Sequence, residues 1–258
     1  MPSPGFKGSP VFQLYQFAWV ALDWIYPPSC GGCNQRGARW CPDCQSSVTK
    51  ISSPLCEHCG ETNPSGGLCR NCRTNPQSYT ALRSWARFTG PLRNAVHRLK
   101  YRGEMRLGEA LAKPLIDYLR TLNWQVDLVV PVPLGVARQA QRGYNQAALI
   151  ARPIALSEQI CYQPDAVRKI KTTRAQVGLS RVERLLNVAE AFQAESRMVA
   201  QKRILLIDDV ATSGATIDAC SKTMLQAGAA EVFGLTLARA PLRFDPATAV
   251  EEPQPILR

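Results

Sequence analysis

The run Ile204 to Thr216, ILLIDDVATSGAT, constrains the fold more than any other stretch of this 258-residue chain. Four consecutive apolar residues, Ile204 to Ile207, predict a strand buried on both faces of a parallel sheet. Asp208 and Asp209 are expected to emerge at the carboxyl end of that strand, where open α/β sheets bind ligands. Ala211, Thr212, Ser213, Gly214, Ala215 and Thr216 are small or hydroxylated, so backbone N–H groups can approach an anion closely. Ile217 to Gln226 has helical spacing and puts a helix N-terminus under that anion. Two carboxylates beside such a cradle suit a ligand with both hydroxyls and phosphate, such as a ribose phosphate. The plainer alternative is a buried strand and a helix capped by Thr212 or Ser213. An acid pair is common, but its combination with the T-S-G-x-T loop and the helix favours a ligand site, without establishing catalysis.

Eight of the ten cysteines fall in four C-x-x-C pairs: Cys30/Cys33, Cys41/Cys44, Cys56/Cys59 and Cys69/Cys72. Two such turns complete a tetrahedral thiolate shell, so four make two structural Zn2+ sites with no open position. The segment is poor in apolar residues, and metal binding supplies the missing folding energy. Sequential pairing gives Cys30, Cys33, Cys41, Cys44 and Cys56, Cys59, Cys69, Cys72; it is favoured over an interleaved cross-brace because each half has its own short turns. An iron–sulfur cluster is the rival occupant. His58 reads as an exposed turn residue rather than a ligand, and the isolated Cys161 and Cys220 as small buried hydrophobes. Without a secretion signal the expected compartment is reducing, which favours metal over disulfides.

The net charge of +11 favours acidic partners, whether nucleic acid, phosphorylated ligand or anionic membrane. Cations concentrate in Arg83 to Arg106 and Arg168 to Arg184. Val11 to Tyr26 is apolar but short and broken by Gln13, Gln16 and Asp23, so no transmembrane helix is expected. The chain divides into a helical leader (1–28), a metal module (29–76), an α/β domain (77–245) and a flexible tail (246–258). Helices are expected at Pro91 to Lys100, Leu107 to Leu122 and Gln146 to Ile160. Strands are expected within Gln77 to Trp85, at Val126 to Val132, at Ile204 and at Val232 to Ala238. That alternation means a parallel sheet flanked by helices.

The ILLIDDVATSGAT run resembles the phosphoribosyl pyrophosphate (PRPP) motif of type I phosphoribosyltransferases. The resemblance implies that Asp208 and Asp209 hold the ribose hydroxyls, with Mg2+, and that Thr212 to Thr216 cradle the 5-phosphate. It also implies a pyrophosphate loop after the strand at Asp127, where Leu134 and Gly135 match by position and Arg138 and Arg142 supply charge. Joined by RGYNQ (Arg142, Gly143, Tyr144, Asn145, Gln146), KYRGE (Lys100 to Glu104), TTRAQVGLSRVERLLNVAEAF (Thr172 to Phe192) and the cysteine ribbon, the pattern resembles the ComF family of competence proteins. That likeness spans roughly Trp19 to Arg239. It implies a cytoplasmic protein with a zinc-finger segment and a phosphoribosyltransferase-like domain, acting in natural transformation on incoming single-stranded DNA. Gln176, Arg181 and Arg184 would lie in a basic loop able to close over pyrophosphate. RGYNQ reads equally as a helix start capped by Asn145.

Three functions fit the residues. The first is a transferase of unidentified acceptor, in which arginines and Mg2+ stabilise departing pyrophosphate. The second is a single-stranded DNA binder using cations with Trp40, Tyr79, Trp85, Phe88 and Tyr101 as stacking platforms, many of which also suit a core. The third is a PRPP-sensing adaptor whose ribbons meet DNA-uptake proteins. The combined reading favoured here is a PRPP site on a zinc-ribbon protein that handles DNA.

Overall fold

A computed structural model describes residues 28–170 and 191–241. The expected leader helix, Gln176, Arg181, Arg184 and the tail lie outside the described residues. Five parallel strands form the central sheet: β1 (Ala81–Arg87), β2 (Leu128–Pro131), β3 (Cys161–Tyr162), β6 (Arg203–Ala211) and β7 (Glu231–Arg239), in the order β1-β7-β6-β2-β3. β6 lies between β7 and β2, with both faces covered. Leu205 and Ile207 enter one core, and Ile204 and Leu206 enter the other, as alternation along a strand requires.

The first core is built with α3 (Gly90–Tyr101), α4 (Arg106–Thr121) and α6 (Gln146–Glu158), through residues such as Leu92, Leu99, Leu111, Leu115, Ile150 and Ile154. The second is built with α8 (Ala215–Gln226), through Ile217, Cys220 and Met224. A small antiparallel hairpin, β4 (Val167–Lys169) and β5 (Phe192–Ala194), packs on the same side, where Val167 and Phe192 are buried. Its β4 replaces part of the basic stretch expected to be loop. After β2 the chain forms α5 (Val136–Arg142), which lacks a buried residue and so left no periodic signal. α7 (Ser196–Val199) is one further short turn.

The cysteine-rich segment consists of two similar halves. Each opens with an antiparallel bridge, Ser29↔Arg36 or Leu55↔Thr62, and ends in a short helix, α1 (Pro42–Ser46) or α2 (Arg70–Thr74). Together they cover β1, the edge strand of the sheet. Lys50 bridges Ala86, Ile51 N–H donates to Trp85 O at 3.2 Å, and Leu82 N–H donates to His58 O at 2.7 Å. An edge strand otherwise presents unpaired backbone groups that invite aggregation. Gly60 makes this approach feasible. Its φ is +70°, and a Cβ there would stand 2.3 Å from the Leu82 carbonyl oxygen.

Candidate functional site

The acid pair lies within β6 rather than beyond it. The ladder continues through Asp208↔Thr236, Val210↔Ala238 and Ala211↔Arg239, because β7 runs on to Arg239. Consecutive strand residues face opposite ways. Asp209 accordingly faces α3 and α6: Lys100 Nζ is 2.5 Å from its Oδ2, and Gln146 Nε2 donates to Oδ1 at 3.5 Å. Asp209 is 3% exposed. Asp208 faces α8, is half-buried, and accepts the Asp209 N–H at 2.8 Å. Desolvation, then the like charge of Asp209, raise its carboxyl well above the usual carboxylate range. Burial, then Asp208, likewise push the Cys220 thiol up.

The loop after the acids leads into α8, with Gly214 in the left-handed region at φ +80° as its N-cap. Ser213 Oγ accepts the Ala215 N–H at 3.4 Å. Thr212, Ser213, Ala215 and Thr216 are exposed. An anion seated there would meet backbone N–H groups and the positive end of a three-turn helix. Across the site, Gly135 caps α5, and a Cβ on it would lie 3.6 Å from Lys169 Cδ. Burial, then the charge of Arg138, lower the Lys169 ammonium pKa. Lys169 beside Gly135, with Arg138 on α5, suits a second anion.

RGYNQ acts as a brace. Asn145 caps α6 by accepting the Ala147 N–H at 3.0 Å, and its Nδ2 donates to Val132 O at 2.9 Å. Tyr144 donates to the Leu99 carbonyl. Arg142 donates to Gln146 Oε1 at 3.0 Å and lies 4.9 Å from the centre of the Tyr101 ring. KYRGE and RGYNQ, 42 residues apart at Lys100 and Arg142, thereby converge on Asp209. The sequence marked both motifs, yet Lys100, Gln146 and Lys169 were missed as site residues. For Lys100 and Gln146 the missed signal was a cation or amide on a motif's edge next to an apolar helical face; Lys169, on β4, carried no such signal.

The cysteines form two groups, Cys30, Cys33, Cys41, Cys44 and Cys56, Cys59, Cys69, Cys72, each with its sulfurs within 4.8 Å of one another. The pairing is sequential, and both groups suit tetrahedral structural Zn2+. Burial raises the Cys30 thiol, but N–H groups of Cys33, Cys41 and Gly32 outweigh it and bring it down to about 6. Cys56 behaves alike, with burial outweighed by the N–H groups of Cys69, Cys59 and His58, and also falls to about 6. His58 is not the exposed residue expected. It stacks on Tyr79 at 4.8 Å, and its Nε2 is buried. Cys161 is exposed, because β3 is a two-residue edge strand, whereas Cys220 is fully buried. Of the five aromatics, Tyr79 and Trp85 are core, Trp40 and Phe88 are partly buried, and Tyr101 is 67% exposed.

The double zinc ribbon domain family matches residues 21–73. Competence protein F of Haemophilus influenzae is 31% identical over 208 residues, covering 78% of this chain and 90% of the relative. The chain belongs to the ComF family. DNA utilization protein YhgH of Escherichia coli K12 is 30% identical over 72% of this chain and 85% of its own. Competence protein ComFC of Bacillus subtilis is 28% identical over 78% and 84%. Among solved structures, the allosteric regulatory enzyme of purine biosynthesis overlaps at a TM-score of 0.37 and 21% identity, over 50% of this chain and 26% of that one. This ComF chain therefore spans about a quarter of that enzyme's length. Adenine phosphoribosyltransferase from Thermoanaerobacter pseudethanolicus overlaps at 0.34 and 16% identity, over 53% and 82%. No helix among the described residues is long and apolar enough to cross a membrane.

Proposed function

We propose that this ComF protein binds PRPP, or another ribose phosphate, at the carboxyl end of β6 and handles single-stranded DNA next to that site. The observation that carries the reading is the half-buried Asp208 near the carboxyl end of β6, four residues before a turn whose Thr212, Ser213, Ala215 and Thr216 are exposed at the N-terminus of α8. A 5-phosphate takes the loop amides. A ribose hydroxyl donates to Asp208, while Asp209, already paired with Lys100, stiffens the strand behind it. The pyrophosphate lies towards Leu134, Gly135, Arg138 and Lys169. Asp208 is the carboxylate that would face Mg2+ arriving with the pyrophosphate.

The DNA half draws support from the relatives' names, two competence proteins and a DNA utilization protein, and from the basic surface. Tyr101, exposed and backed by Arg142, is the stacking platform best placed for a base. It lies next in sequence to Lys100, so an occupied ribose site and a bound strand share α3. The test uses the full zinc-loaded chain. Saturating PRPP with Mg2+ should raise the melting temperature, since ligand at a hundredfold its Kd contributes about 2.7 kcal/mol. Asp208→Asn should abolish that rise. An unchanged wild-type melting curve refutes the ligand assignment. Single-stranded DNA affinity should fall steeply between low and moderate salt and weaken in Tyr101→Ala; salt-insensitive binding, or none, refutes the DNA assignment.

A further inference from the structure

Arg239 closes β7 and is 3% exposed. Its guanidinium donates to the Cys59 carbonyl, and to the Thr212 carbonyl at 3.5 Å, and pairs with Glu61 Oε2 at 3.5 Å. Cys59 belongs to the second cysteine group, Glu61 lies two residues on, and Thr212 lies in the exposed loop before α8. One buried side chain thus joins that metal site to the loop. Tyr79 reinforces the joint. It is 1% exposed and stacks on His58, between Cys56 and Cys59, and its hydroxyl lies 3.4 Å from where a Cβ on Gly214 would stand.

The geometry gives this contact a direction. In a trans peptide the C=O and the next N–H point opposite ways. Drawing the Thr212 carbonyl inward onto the guanidinium turns the Ser213 N–H outward, to the side on which an anion would sit. The first cysteine group makes contacts elsewhere: Arg98 donates to Cys30 O at 3.0 Å and Asn94 to Gly32 O at 3.1 Å, both from α3. We propose that Arg239 is a positioning residue for the 211–216 loop, and that metal at the second cysteine group, not the first, sets that loop for a phosphorylated ligand. The ligand part rests on the ribose-phosphate reading above; the ordering of the loop does not. With metal bound, the turn from Cys56 to Glu61 holds two of the three Arg239 partners in place. Without it, the Cys59 and Glu61 contacts loosen, and the Thr212 carbonyl loses a donor held in place from the ribbon side.

The test uses the full zinc-loaded chain and three variants. Arg239→Lys keeps the charge but loses the fork. Glu61→Gln removes the negative charge that Arg239 shares with Arg87 of β1. Cys69→Ser opens the second metal site. Amide hydrogen exchange over 211–216 is read without ligand, alongside zinc content and PRPP titration. Arg239→Lys and Glu61→Gln should speed loop exchange and weaken PRPP about tenfold, as loss of one charge-assisted hydrogen bond does, with zinc retained. Cys69→Ser should do the same with one zinc lost, whereas Asn94→Ala, at the first site, should change neither readout. Wild-type exchange in Arg239→Lys and Cys69→Ser overturns the coupling, whether or not PRPP binds. So does loosening that extends equally through β6 and β7 in Glu61→Gln, which marks general destabilisation. Faster loop exchange in a protein that never binds PRPP upholds the coupling and refutes the ribose-phosphate reading.

Discussion

Replacing Lys100 by methionine keeps the side-chain stem and deletes the charge facing Asp209. The two groups are 2.5 Å apart, with side chains 20% and 4% exposed. Once the ammonium is gone, Asp209 keeps the long Gln146 bond at 3.5 Å but has no cation facing it among the described residues. Breaking a buried ion pair from one side costs about 3–5 kcal/mol, because the remaining charge is left unpaired in low dielectric. Lys100 is one-fifth exposed, which puts this case at the lower end, about 3 kcal/mol. For a chain of this size, 1 kcal/mol moves the melting temperature by about 2–4 °C, so Lys100→Met should lower it by about 6–12 °C. Asp209→Asn should cost less, about 1 kcal/mol, because the freed ammonium can turn to water. The double variant should cost only about 1 kcal/mol, recovering most of the loss and giving a coupling of about 3 kcal/mol. Thermal scans of all four zinc-loaded proteins decide it. A Lys100→Met penalty below about 1 kcal/mol, or a double variant as unstable as Lys100→Met alone, refutes the view that this pair is buried and coupled.

Three further outcomes are expected. Asp208→Asn should stabilise the ligand-free protein while abolishing its response to PRPP. A carboxyl whose folded pKa is raised favours the neutral form in the native state, so its contribution is fully present below its unfolded value, about 3.9, and is lost as pH rises. The variant's advantage should therefore grow from about pH 4 upward, and melting curves at pH 4 and 7 that differ equally from wild type would exclude this cause. Gly60→Ala should disrupt the second ribbon, because it forces a left-handed residue against the Leu82 carbonyl; zinc content should fall from two to one per chain, and retention of both ions contradicts the docking described. Asn145→Ala removes a helix cap and a bond to Val132, and should cost about 1–2 kcal/mol in chemical denaturation; a loss of a few tenths would show that neither bond matters.

Much of the fold was legible in the chain because its signals are local. Ile204 to Ile207 read as a doubly buried strand, α3 was marked by a proline near its start and cations near its end, and α4 and α6 were expected at Leu107 to Leu122 and Gln146 to Ile160. Four C-x-x-C turns demanded metal, and their short spacing favoured the sequential pairing found. The errors came where burial depends on distant partners. His58 looked like a polar turn residue until Tyr79 covered it, and Cys161 looked buried until β3 proved to be an edge. Tyr79 and Trp85 offered themselves as stacking platforms with the same sequence signal as Tyr101, and only the packed sheet separates core from surface.

By itself the sequence determined the chemistry on offer: an acid pair, a small hydroxylated loop before a helix, eight thiols in four turns, and a basic excess. Each of these is carried by neighbours in the chain, so spacing alone reveals it. The tertiary structure decided how they are connected. It turned Asp208 and Asp209 to opposite faces, gave Asp209 to Lys100 and Gln146, and ran Arg239 from the end of β7 to both Cys59 and Thr212. Those partners are 27 to 180 residues apart, and no local preference encodes a contact whose ends meet only when the sheet closes.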